Sequence, residues 1–309
     1  MRLDTLGVDE SVSILFPPEV LTAELADLPV PTTVVDGSNG DLDGCQAAVT
    51  FSYHEAFDDL AWIHSIQSGV DQFPHDRMRA ADVALTNSTG IHGDAIGETV
   101  AGYVLAFARR LHEHVRDQQD ATWAPPAWDG AWTVRGERAC VVGLGTLGRG
   151  VVDRLTGLGV NLTGVRRTPT PEPGVETVYT PSKLRQAVSD ARFVVATVPL
   201  TDDTRGLIDA DVLSEMRDDA YLINVARGAV VDQSALVDAI ADGEIAGAAL
   251  DVFETEPLPE SSPLWGMDEV IVSPHCAGFT HRYHEHVGSI VAENVDRFRA
   301  DDDLVNRVL

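Results

Sequence analysis

The amino-acid sequence predicts an α/β protein of two doubly wound parallel-sheet domains, Rossmann-like or flavodoxin-like, with a cleft between them. Its 309 residues correspond to about two domains of ordinary size. Short apolar runs with strand character alternate with helical stretches almost throughout the chain, which is the order that parallel βαβ units produce. Apolar residues make up 44% of the chain and charged residues 23%, so the protein can bury a sizeable core.

The first third of the chain contains a series of short predicted strands. They are SVSILF (11–16), TTVVD (32–36), AAVTFS (47–52), WIHSI (62–66) and VALTN (83–87). Residues 17–28 supply a crossover helix, and one long helix is predicted from Asp94 to Asp117. A loop rich in Trp, Pro and Gly follows at 121–132.

A second α/β series follows this loop. Its predicted strands lie within 138–145, 159–166, 191–199, 220–226, 245–253 and 269–275. A last helix runs roughly from His281 to Phe298 and flanks the second series, so C-terminal residues are expected to complete the first domain. We therefore expect one domain of residues 1–96 and 282–309, and another of residues 97–281.

The charge of the chain is strongly negative. Acidic residues number 49 and basic residues 22, which gives a net charge of −27, and Lys183 is the one lysine. Such a surface repels nucleic acid and anionic lipid, which excludes both as partners. Arginine in place of lysine also occurs in GC-rich genomes, but that explanation does not account for the net charge. The composition therefore predicts a halophile, an archaeon adapted to concentrated salt.

Targeting signals and disulfides are not expected. No apolar run reaches the roughly 18 residues of a membrane span, and the start MRLDTLGVDE lacks the features of a secretory signal. Cys45, Cys140 and Cys276 are too few and too widely spaced for a disulfide framework. A reducing cytoplasm is the expected location.

A glycine-rich turn follows the apolar strand ACVV and opens a helical stretch. The sequence GLGTLG at 143–148 matches G-x-G-x-x-G, and this context favours dinucleotide binding over a turn without a ligand. The first glycine makes the turn, the second admits a pyrophosphate, and the third packs helix on strand. The predicted cofactor contacts are Gly143, Gly145, Thr146, Leu147 and Gly148.

The end of the next strand indicates which dinucleotide binds. An NAD site usually carries an acid there, whereas this strand ends in Arg166, Arg167 and Thr168. Two guanidinium groups and a hydroxyl bind a 2′-phosphate by charge-assisted hydrogen bonds. The alternative is a solvated basic turn. NADP is the predicted cofactor, with NAD as a second possibility because two arginines tolerate a free 2′-hydroxyl.

Chemically useful side chains follow three strands of the second series. Arg227 follows AYLINVA, Glu254 and Glu256 follow GAALDVF, and His275 follows EVIVSP. Each alone is more often a surface ion-pair partner or a structural residue. At one sheet edge, however, an arginine can bind a carboxylate and polarise the adjacent carbonyl, while a histidine beside a glutamate can donate a proton. The set therefore predicts hydride transfer to a 2-oxo acid.

At these residues the chain resembles the D-isomer-specific 2-hydroxyacid dehydrogenase family. The matching segments are VVGLGTLGRGV, ATVPLTDDTRGLID, YLINVARGAVVDQSALVDAI, IAGAALDVFETEPLP and VIVSPHCAGFT, and the resemblance covers most of the chain. It implies that Arg227 binds substrate, that His275 is the acid–base, and that Glu256 rather than Glu254 is its partner. The three are the predicted catalytic residues, and Arg227 and His275 also contact substrate.

The resemblance also implies further contacts. In the first domain the segment SIQSGVDQF is similar to the family's substrate-carboxylate loop, which makes Gln67, Ser68 and Gly69 candidates. Asp251 is expected to accept from the nicotinamide amide, with a strand cap as the alternative. The remaining predicted cofactor contacts are Val198, Pro199, Thr204, Val225, Ala226, His275 and Gly278.

These features predict NADPH-preferring, reversible reduction of 2-oxo acids to D-2-hydroxy acids. The first domain would bind substrate and the second the dinucleotide, and the resemblance implies a homodimer formed through the long helix and the 121–132 loop. Alternatives are a glyoxylate/hydroxypyruvate reductase, a phosphoglycerate dehydrogenase or a non-catalytic nucleotide sensor. Cys276 is expected to be a small packed residue rather than a reactive thiol. The cluster of His281, His284 and His286 fits no standard zinc spacing, so no metal is predicted.

Overall fold

The computed structural model describes residues 3–309, which form two compact units. The first unit contains the chain up to Ile91 together with Phe279–Leu309, and the second contains His92–Gly278. Each unit is built on its own parallel sheet, as the alternating pattern predicts. The α/β class and the two doubly wound sheets are thereby confirmed.

The first unit has a five-stranded parallel sheet. Its spatial order is β2-β1-β3-β4-β5, the flavodoxin-like arrangement. The strands are β1 (Leu6–Asp9), β2 (Thr32–Val35), β3 (Ala47–Thr50), β4 (Trp62–Ser65) and β5 (Ala84–Asn87). The helices are α1 (Pro18–Glu24), α2 (His75–Ala80) and, from the end of the chain, α9 (Tyr283–Ala300).

The C-terminal helix completes the core of the first unit. Its buried side chains recur at every fourth position, which places them on one face of α9. They are Tyr283, Val287, Val291 and Val295. This face packs with Leu21 of α1 and Trp62 of β4, so the returning chain covers strands made near its start. The Tyr283 hydroxyl also donates to the carbonyl of Ile66 at 2.9 Å.

The second unit has a seven-stranded parallel sheet. Its spatial order is β12-β11-β10-β9-β6-β7-β8, which is the Rossmann order with one added strand. The strands are β6 (Arg138–Val142), β7 (Asn161–Val165), β8 (Thr177–Tyr179), β9 (Phe193–Ala196), β10 (Tyr221–Asn224), β11 (Gly247–Leu250) and β12 (Val270–Val272). The helices are α3 (Gly93–Ala108), α4 (Leu111–Gln119), α5 (Thr146–Gly157), α6 (Leu184–Val188), α7 (Ala210–Leu213) and α8 (Gln233–Ala241).

The register of this sheet aligns the ends of three neighbouring strands. Asn224 of β10 pairs with Leu250 of β11, and Leu250 pairs with Val272 of β12. Because the strands are parallel, the loops that follow them leave from the same edge of the sheet.

Two predicted elements are wrong in the first half of the chain. SVSILF does not form a strand, because the Asp9 side chain accepts from the Ser11 amide and caps a 3-10 helix at Glu10–Ile14. The first strand precedes it, at Leu6–Asp9. The long helix is also interrupted, since Arg110 adopts a left-handed φ of 54° between α3 and α4.

The domain boundaries differ from the predicted ones by a few residues. The first crossing falls after Ile91 rather than at 96, and the second after Gly278 rather than at 281. The reason is that α3 belongs to the second unit from its first turn. Gly93 of α3 lies against Thr146 of α5, and Gly97 lies against Gly150.

Helix length and apolarity bear on membrane insertion. Among residues 3–309, no helix combines the length and apolar character needed to cross a bilayer.

Replacing Leu21 by alanine tests how strongly α9 closes the first core. Leu21 is fully buried, so the cavity should lower the free energy of unfolding by about 2–5 kcal/mol. The matched control is Val20→Ala on the same helix, which is 36% exposed and should change it by less than about 0.5 kcal/mol. Urea denaturation in concentrated KCl, followed by circular dichroism, measures both. Equal effects of the two variants would contradict the packing described.

Candidate active site

The glycine turn between β6 and α5 has the geometry that a bound dinucleotide requires. Gly143 has a φ of +103°, and its amide donates to the Val165 carbonyl at 2.8 Å. A Cβ at Gly148 would lie 1.9 Å from the Gly143 carbonyl oxygen, so only glycine fits there. By contrast, a Cβ at Gly145 would meet no atom within 4 Å. The turn is therefore closed on the protein side and open beside Gly145.

The start of α5 provides donors at this open side. Gly145 is the N-cap of the helix, and Thr146 and Leu147 form its first turn. The first amides of a helix have no intrahelical partner and carry the positive end of the helix dipole. These residues fit the pyrophosphate of a dinucleotide.

The two arginines after β7 differ in their contacts and exposure. The Arg166 guanidinium is mostly buried and donates to Glu172 Oε2 at 2.9 Å and to the Thr168 carbonyl at 2.9 Å. Glu172 also pairs with Arg149 of α5 at 3.2 Å. Arg167 and Thr168 are exposed. Sequence reasoning missed Glu172, because its approach to Arg166 depends on how the loop 166–172 folds back.

The next two loops place the other predicted cofactor residues. Val198 follows β9 and lies against Gly143. Pro199 is exposed, and its carbonyl accepts a hydrogen bond from the Thr204 hydroxyl at 2.6 Å. Val225 and Ala226 follow β10 and are 4% and 2% exposed.

Arg227 is held by a side chain at the end of β10. The Asn224 amide nitrogen donates to the Arg227 carbonyl at 3.1 Å, and its Oδ1 accepts from the Ala226 amide at 3.1 Å. The Arg227 guanidinium donates to the Ala226 carbonyl at 2.7 Å and is partly exposed. Asn224 was not predicted; its place at a strand end, as the first residue of NVARG, was the available signal.

The residue after Arg227 brings two loops into backbone contact. A Cβ on Gly228 would lie 1.8 Å from the Phe253 carbonyl carbon and 2.3 Å from the Glu254 nitrogen. No side chain fits in this space, so the loop carrying Arg227 rests directly on the loop that leads to Glu256.

Glu256 and His275 form a hydrogen-bonded pair. His275 Nδ1 lies 2.7 Å from Glu256 Oε2, and the other oxygen, Oε1, accepts from the Phe253 amide at 3.0 Å. Half of the His275 side chain is exposed, so its second nitrogen, Nε2, is left for another partner. Glu254 faces elsewhere and exchanges hydrogen bonds with Gln233 of α8.

Asp251 is the buried centre of the His275 turn. Its side chain is nearly inaccessible, and its oxygens accept from the Cys276 amide at 2.9 Å and the Ala277 amide at 2.8 Å. It also accepts from the Ser273 hydroxyl at 2.6 Å. Gly278 ends this turn beside His92. A Cβ placed on Gly278 would lie 3.0 Å from the His92 ring.

Cys276 follows the acid–base candidate but is a poor nucleophile. Burial, and secondarily the negative charge of Asp251, raises the pKa of its thiol above the ordinary value. Reactive cysteines have a lowered pKa, so the structure favours a packed residue.

The predicted substrate loop lies in the first unit, after β4. The Gln67 carbonyl accepts from the Ser88 amide at 3.0 Å, and the Ser68 hydroxyl donates to the Ser88 carbonyl at 3.2 Å. Asn87 Nδ2 donates to the Ser68 carbonyl at 2.7 Å. Asn306 in turn donates to the Asn87 carbonyl at 3.1 Å. The loop containing Gln67, Ser68 and Gly69 is thereby tied to the end of the chain.

A cavity of about 750 Å³ also opens in the first unit, beside the loops that follow β2 and β3. Arg77 at its wall donates to Asp58 at 2.6 Å and to Glu55 at 2.8 Å. The charge of Arg77 is thus paired with two carboxylates of the same unit. None of the predicted site residues lines the cavity.

The histidine cluster near the start of α9 makes an aromatic contact. The His284 ring lies edge-on to Phe16, with ring centroids 6.2 Å apart. Throughout residues 3–309, no group of three or more His, Cys, Asp or Glu side chains is arranged to hold a metal ion.

Taken together, the Rossmann strand order, the glycine turn and the His–Glu pair define the second unit as that of a dinucleotide-dependent oxidoreductase. Comparison with known proteins makes the class specific. A profile described as D-isomer specific 2-hydroxyacid dehydrogenase, NAD binding domain, matches residues 101–277. The chain belongs to the D-isomer specific 2-hydroxyacid dehydrogenase family.

Relatives and solved structures agree with this assignment. A glyoxylate reductase of Korarchaeum cryptofilum is 33% identical over 264 residues, which cover 82% of this chain and 78% of the relative. A family structure from Xanthobacter autotrophicus Py2, in complex with NADPH and MES, is 30% identical with a TM-score of 0.83, covering 100% of this chain and 98% of that one. One from Aeromonas salmonicida is 26% identical with a TM-score of 0.87, covering 100% and 99%.

Gly228→Ala tests the backbone contact between the two loops. The added methyl group must push the loops apart, so the free energy of unfolding should fall by about 1–3 kcal/mol. The matched control is Gly157→Ala at the end of α5, where a Cβ meets nothing within 4 Å. This control should be neutral or stabilising by up to about 1 kcal/mol. Urea denaturation measures both; a Gly228→Ala protein as stable as the control would refute the contact.

Proposed function

We propose that this protein reduces 2-oxo acids to D-2-hydroxy acids with a preference for NADPH. The observation that carries the proposal is the 2.7 Å hydrogen bond between His275 Nδ1 and Glu256 Oε2. This pair lies on the loops that follow β11 and β12, and Arg227 lies on the loop that follows the adjacent β10. Family membership supports the general reaction.

The proposed chemistry divides among these three side chains. The nicotinamide cofactor, when bound, supplies the hydride. Arg227 binds the substrate carboxylate and draws electron density from the carbonyl oxygen. Glu256 occupies Nδ1 of His275, so the proton on Nε2 is directed to the substrate oxygen as that oxygen becomes an alkoxide. Glu256 stabilises the imidazolium until the proton leaves.

The two units have proposed roles in binding. In the second unit, residues 143–148 hold the pyrophosphate of the dinucleotide, supported by the closed glycine turn and the free first turn of α5. The proposed contacts of Val198, Pro199, Thr204, Val225, Ala226, Asp251 and Gly278 complete the cofactor site. In the first unit, Gln67, Ser68 and Gly69 bind the substrate carboxylate.

The preference for NADPH rests on the end of β7. Exposed Arg167 and Thr168 are available to a 2′-phosphate. Arg166 already pairs with Glu172, so it contributes directly only when that pair opens. We therefore assign the main phosphate contact to Arg167.

A second candidate is a glyoxylate or hydroxypyruvate reductase. The glyoxylate reductase of Korarchaeum cryptofilum, at 33% identity, favours it. The catalytic residues and the hydride transfer would be the same, and only the substrate side chain would differ. Glyoxylate and hydroxypyruvate therefore belong in any substrate panel.

Assembly and setting are part of the proposal. Trp123 and Trp128 are 98% and 95% exposed, and Leu111 and Val115 of the neighbouring α4 are also exposed. These apolar side chains support a homodimer interface formed by α4 and the 121–132 loop. The net charge of −27 supports a halophilic archaeal cytoplasm as the working environment.

A cofactor-oxidation assay tests the function. It compares glyoxylate, hydroxypyruvate, pyruvate and larger 2-oxo acids, with NADPH and NADH, in concentrated KCl and in dilute buffer. We expect NADPH-dependent turnover in KCl and its loss in dilute buffer. Binding of NADPH without turnover of any acid at either salt concentration would favour a nucleotide sensor instead.

Two matched glutamate variants, a test and its control, are compared in this assay. Glu256→Gln removes the charge that supports His275 and should lower kcat by about 10²–10⁴-fold, the usual range for acid–base catalysis. Glu254→Gln, only two positions away, contacts Gln233 and should keep kcat within about twofold. Equal losses in the two variants would contradict the assigned proton donor.

Arg167→Ala tests the phosphate contact. Loss of a charged hydrogen bond, about 1.5–3 kcal/mol, should raise the KM for NADPH about 10- to 100-fold and leave that for NADH nearly unchanged. Glu172→Gln should lower the KM for NADPH because it removes a negative charge beside the proposed 2′-phosphate site. Arg185→Ala, which changes an exposed arginine paired with Asp211, is the control. An equal effect of Arg167→Ala on both cofactors would exclude the 2′-phosphate role.

A further inference from the structure

We propose that Thr99 and Tyr103, on one face of α3, are positioning residues that hold the turn carrying the acid–base His275. The proposal rests on the function assigned above, because it specifies how the proton donor is kept in place. Neither residue contacts the Glu256–His275 pair directly. They act through the 273–277 turn, which connects β12 to the end of the second unit.

The turn has a conformation that needs support. His275 has a φ of +51°, in the left-handed region that residues other than glycine rarely adopt. Its amide donates to the Asp251 carbonyl at 2.8 Å and to the Ser273 carbonyl at 3.1 Å. Such a conformation persists only where surrounding contacts fix it. The contacts around the turn therefore determine where the imidazole lies.

The first support comes from inside, through Asp251. Its carboxylate is 2% exposed and accepts from the Cys276 and Ala277 amides. A buried carboxylate is costly unless hydrogen bonds satisfy its oxygens. Any rearrangement of the turn would remove those donors, so Asp251 and the turn stabilise each other.

The second support comes from α3. The Ser273 hydroxyl has one proton, which it donates to Asp251 Oδ1 at 2.6 Å. The Tyr103 hydroxyl, 2.5 Å from the Ser273 oxygen, must then be the donor to it. Burial raises the pKa of Tyr103 to about 12, so the phenol keeps this proton. Tyr103, Ser273 and Asp251 thus form a directed chain of hydrogen bonds.

Thr99 holds the other end of the same turn. Its hydroxyl donates to the Ala277 carbonyl at 3.0 Å. Thr99 and Tyr103 are four residues apart, so they lie on the same face of the helix. The neighbouring side chains Val100, Val104 and Phe107 are buried in the core of the second unit, as is Tyr103 itself. Core packing therefore fixes the position of the helix from which both hydrogen bonds are donated.

The position of the turn matters because general acid catalysis is sensitive to distance. The proton donor must come within about 2.6–3.2 Å of its acceptor. A displacement of about 1 Å can lower the rate about 10²-fold. A turn released from α3 would let His275 move relative to the Arg227 loop, while the glycine turn that holds the dinucleotide would be unaffected.

The experiment compares hydroxyl deletions that keep the size of the side chain. Tyr103→Phe and Thr99→Val each remove one hydrogen bond to the turn. Tyr221→Phe is the control for the first, because Tyr221 packs against the same core as Tyr103 but stacks on Phe107 and Trp132. Thr163→Val, in β7, is the control for the second. Thr99→Ser retains a hydroxyl and should restore the wild-type behaviour.

Two readouts are needed for each variant. Steady-state kinetics in concentrated KCl give kcat and the KM for NADPH. Amide hydrogen exchange of Cys276 and Ala277, followed by NMR, reports the opening of the turn without any turnover. Loss of one hydrogen bond should speed this exchange and lower kcat, each about five- to tenfold, with the KM for NADPH unchanged. The controls and Thr99→Ser should match the wild type.

Specific outcomes would overturn the proposal. These are unchanged exchange at Cys276 and Ala277, faster exchange with an unchanged kcat, or a loss of kcat that merely follows the loss of folded protein seen by circular dichroism. If the wild type reduces no 2-oxo acid, the proposed function fails by itself. The exchange measurement then still decides whether α3 holds the turn.

Discussion

The contact between the backbone of Gly228 and the Phe253–Glu254 peptide is the constraint on which the candidate site depends. It fixes the distance between two loops that leave adjacent parallel strands, one carrying Arg227 and the other Glu256. The Phe253 amide, next to this contact, donates to Glu256 and orients its carboxylate. Because Gly228 has no side chain, the two backbones can come into contact. This contact sets the positions of Arg227 and Glu256, which belong to the same proposed reaction.

The buried charge of Asp251 extends this constraint to the next strand. Its hydrogen bonds reach the turn after β12, so the three loops at this edge are linked in sequence from Arg227 to His275. The proposed catalytic side chains themselves are partly exposed. The groups that hold their loops in place, Gly228 and Asp251, are buried. This division allows exposed side chains to meet a substrate while their backbones stay fixed.

The sequence was sufficient for the features that depend on short segments. Apolar runs mark the strands, and the polar residues just after them identify the sheet edge, so Arg227, Glu254, Glu256 and His275 could be selected as candidates. The resemblance to the family then favoured Glu256 over Glu254. The glycine turn is equally local. Partners that meet through loop folding could not be predicted, such as Glu172 beside Arg166 or Tyr103 beside Ser273. Local chemistry also misled: the apolar run at 11–16 resembles a strand, but the Asp9 cap makes it helical.

The order of synthesis gives the discontinuous first unit a particular vulnerability. Its sheet is complete by Asn87, yet the helix that covers Leu21 and Trp62 is made only after the whole second unit. The hydrogen bond from Tyr283 to Ile66 spans 217 residues. At ribosomal rates of roughly 5–20 residues per second, the apolar face of the nascent sheet waits some tens of seconds for its cover. The second unit is continuous and can fold during that interval, so the part of the chain most exposed to aggregation is the one that begins it.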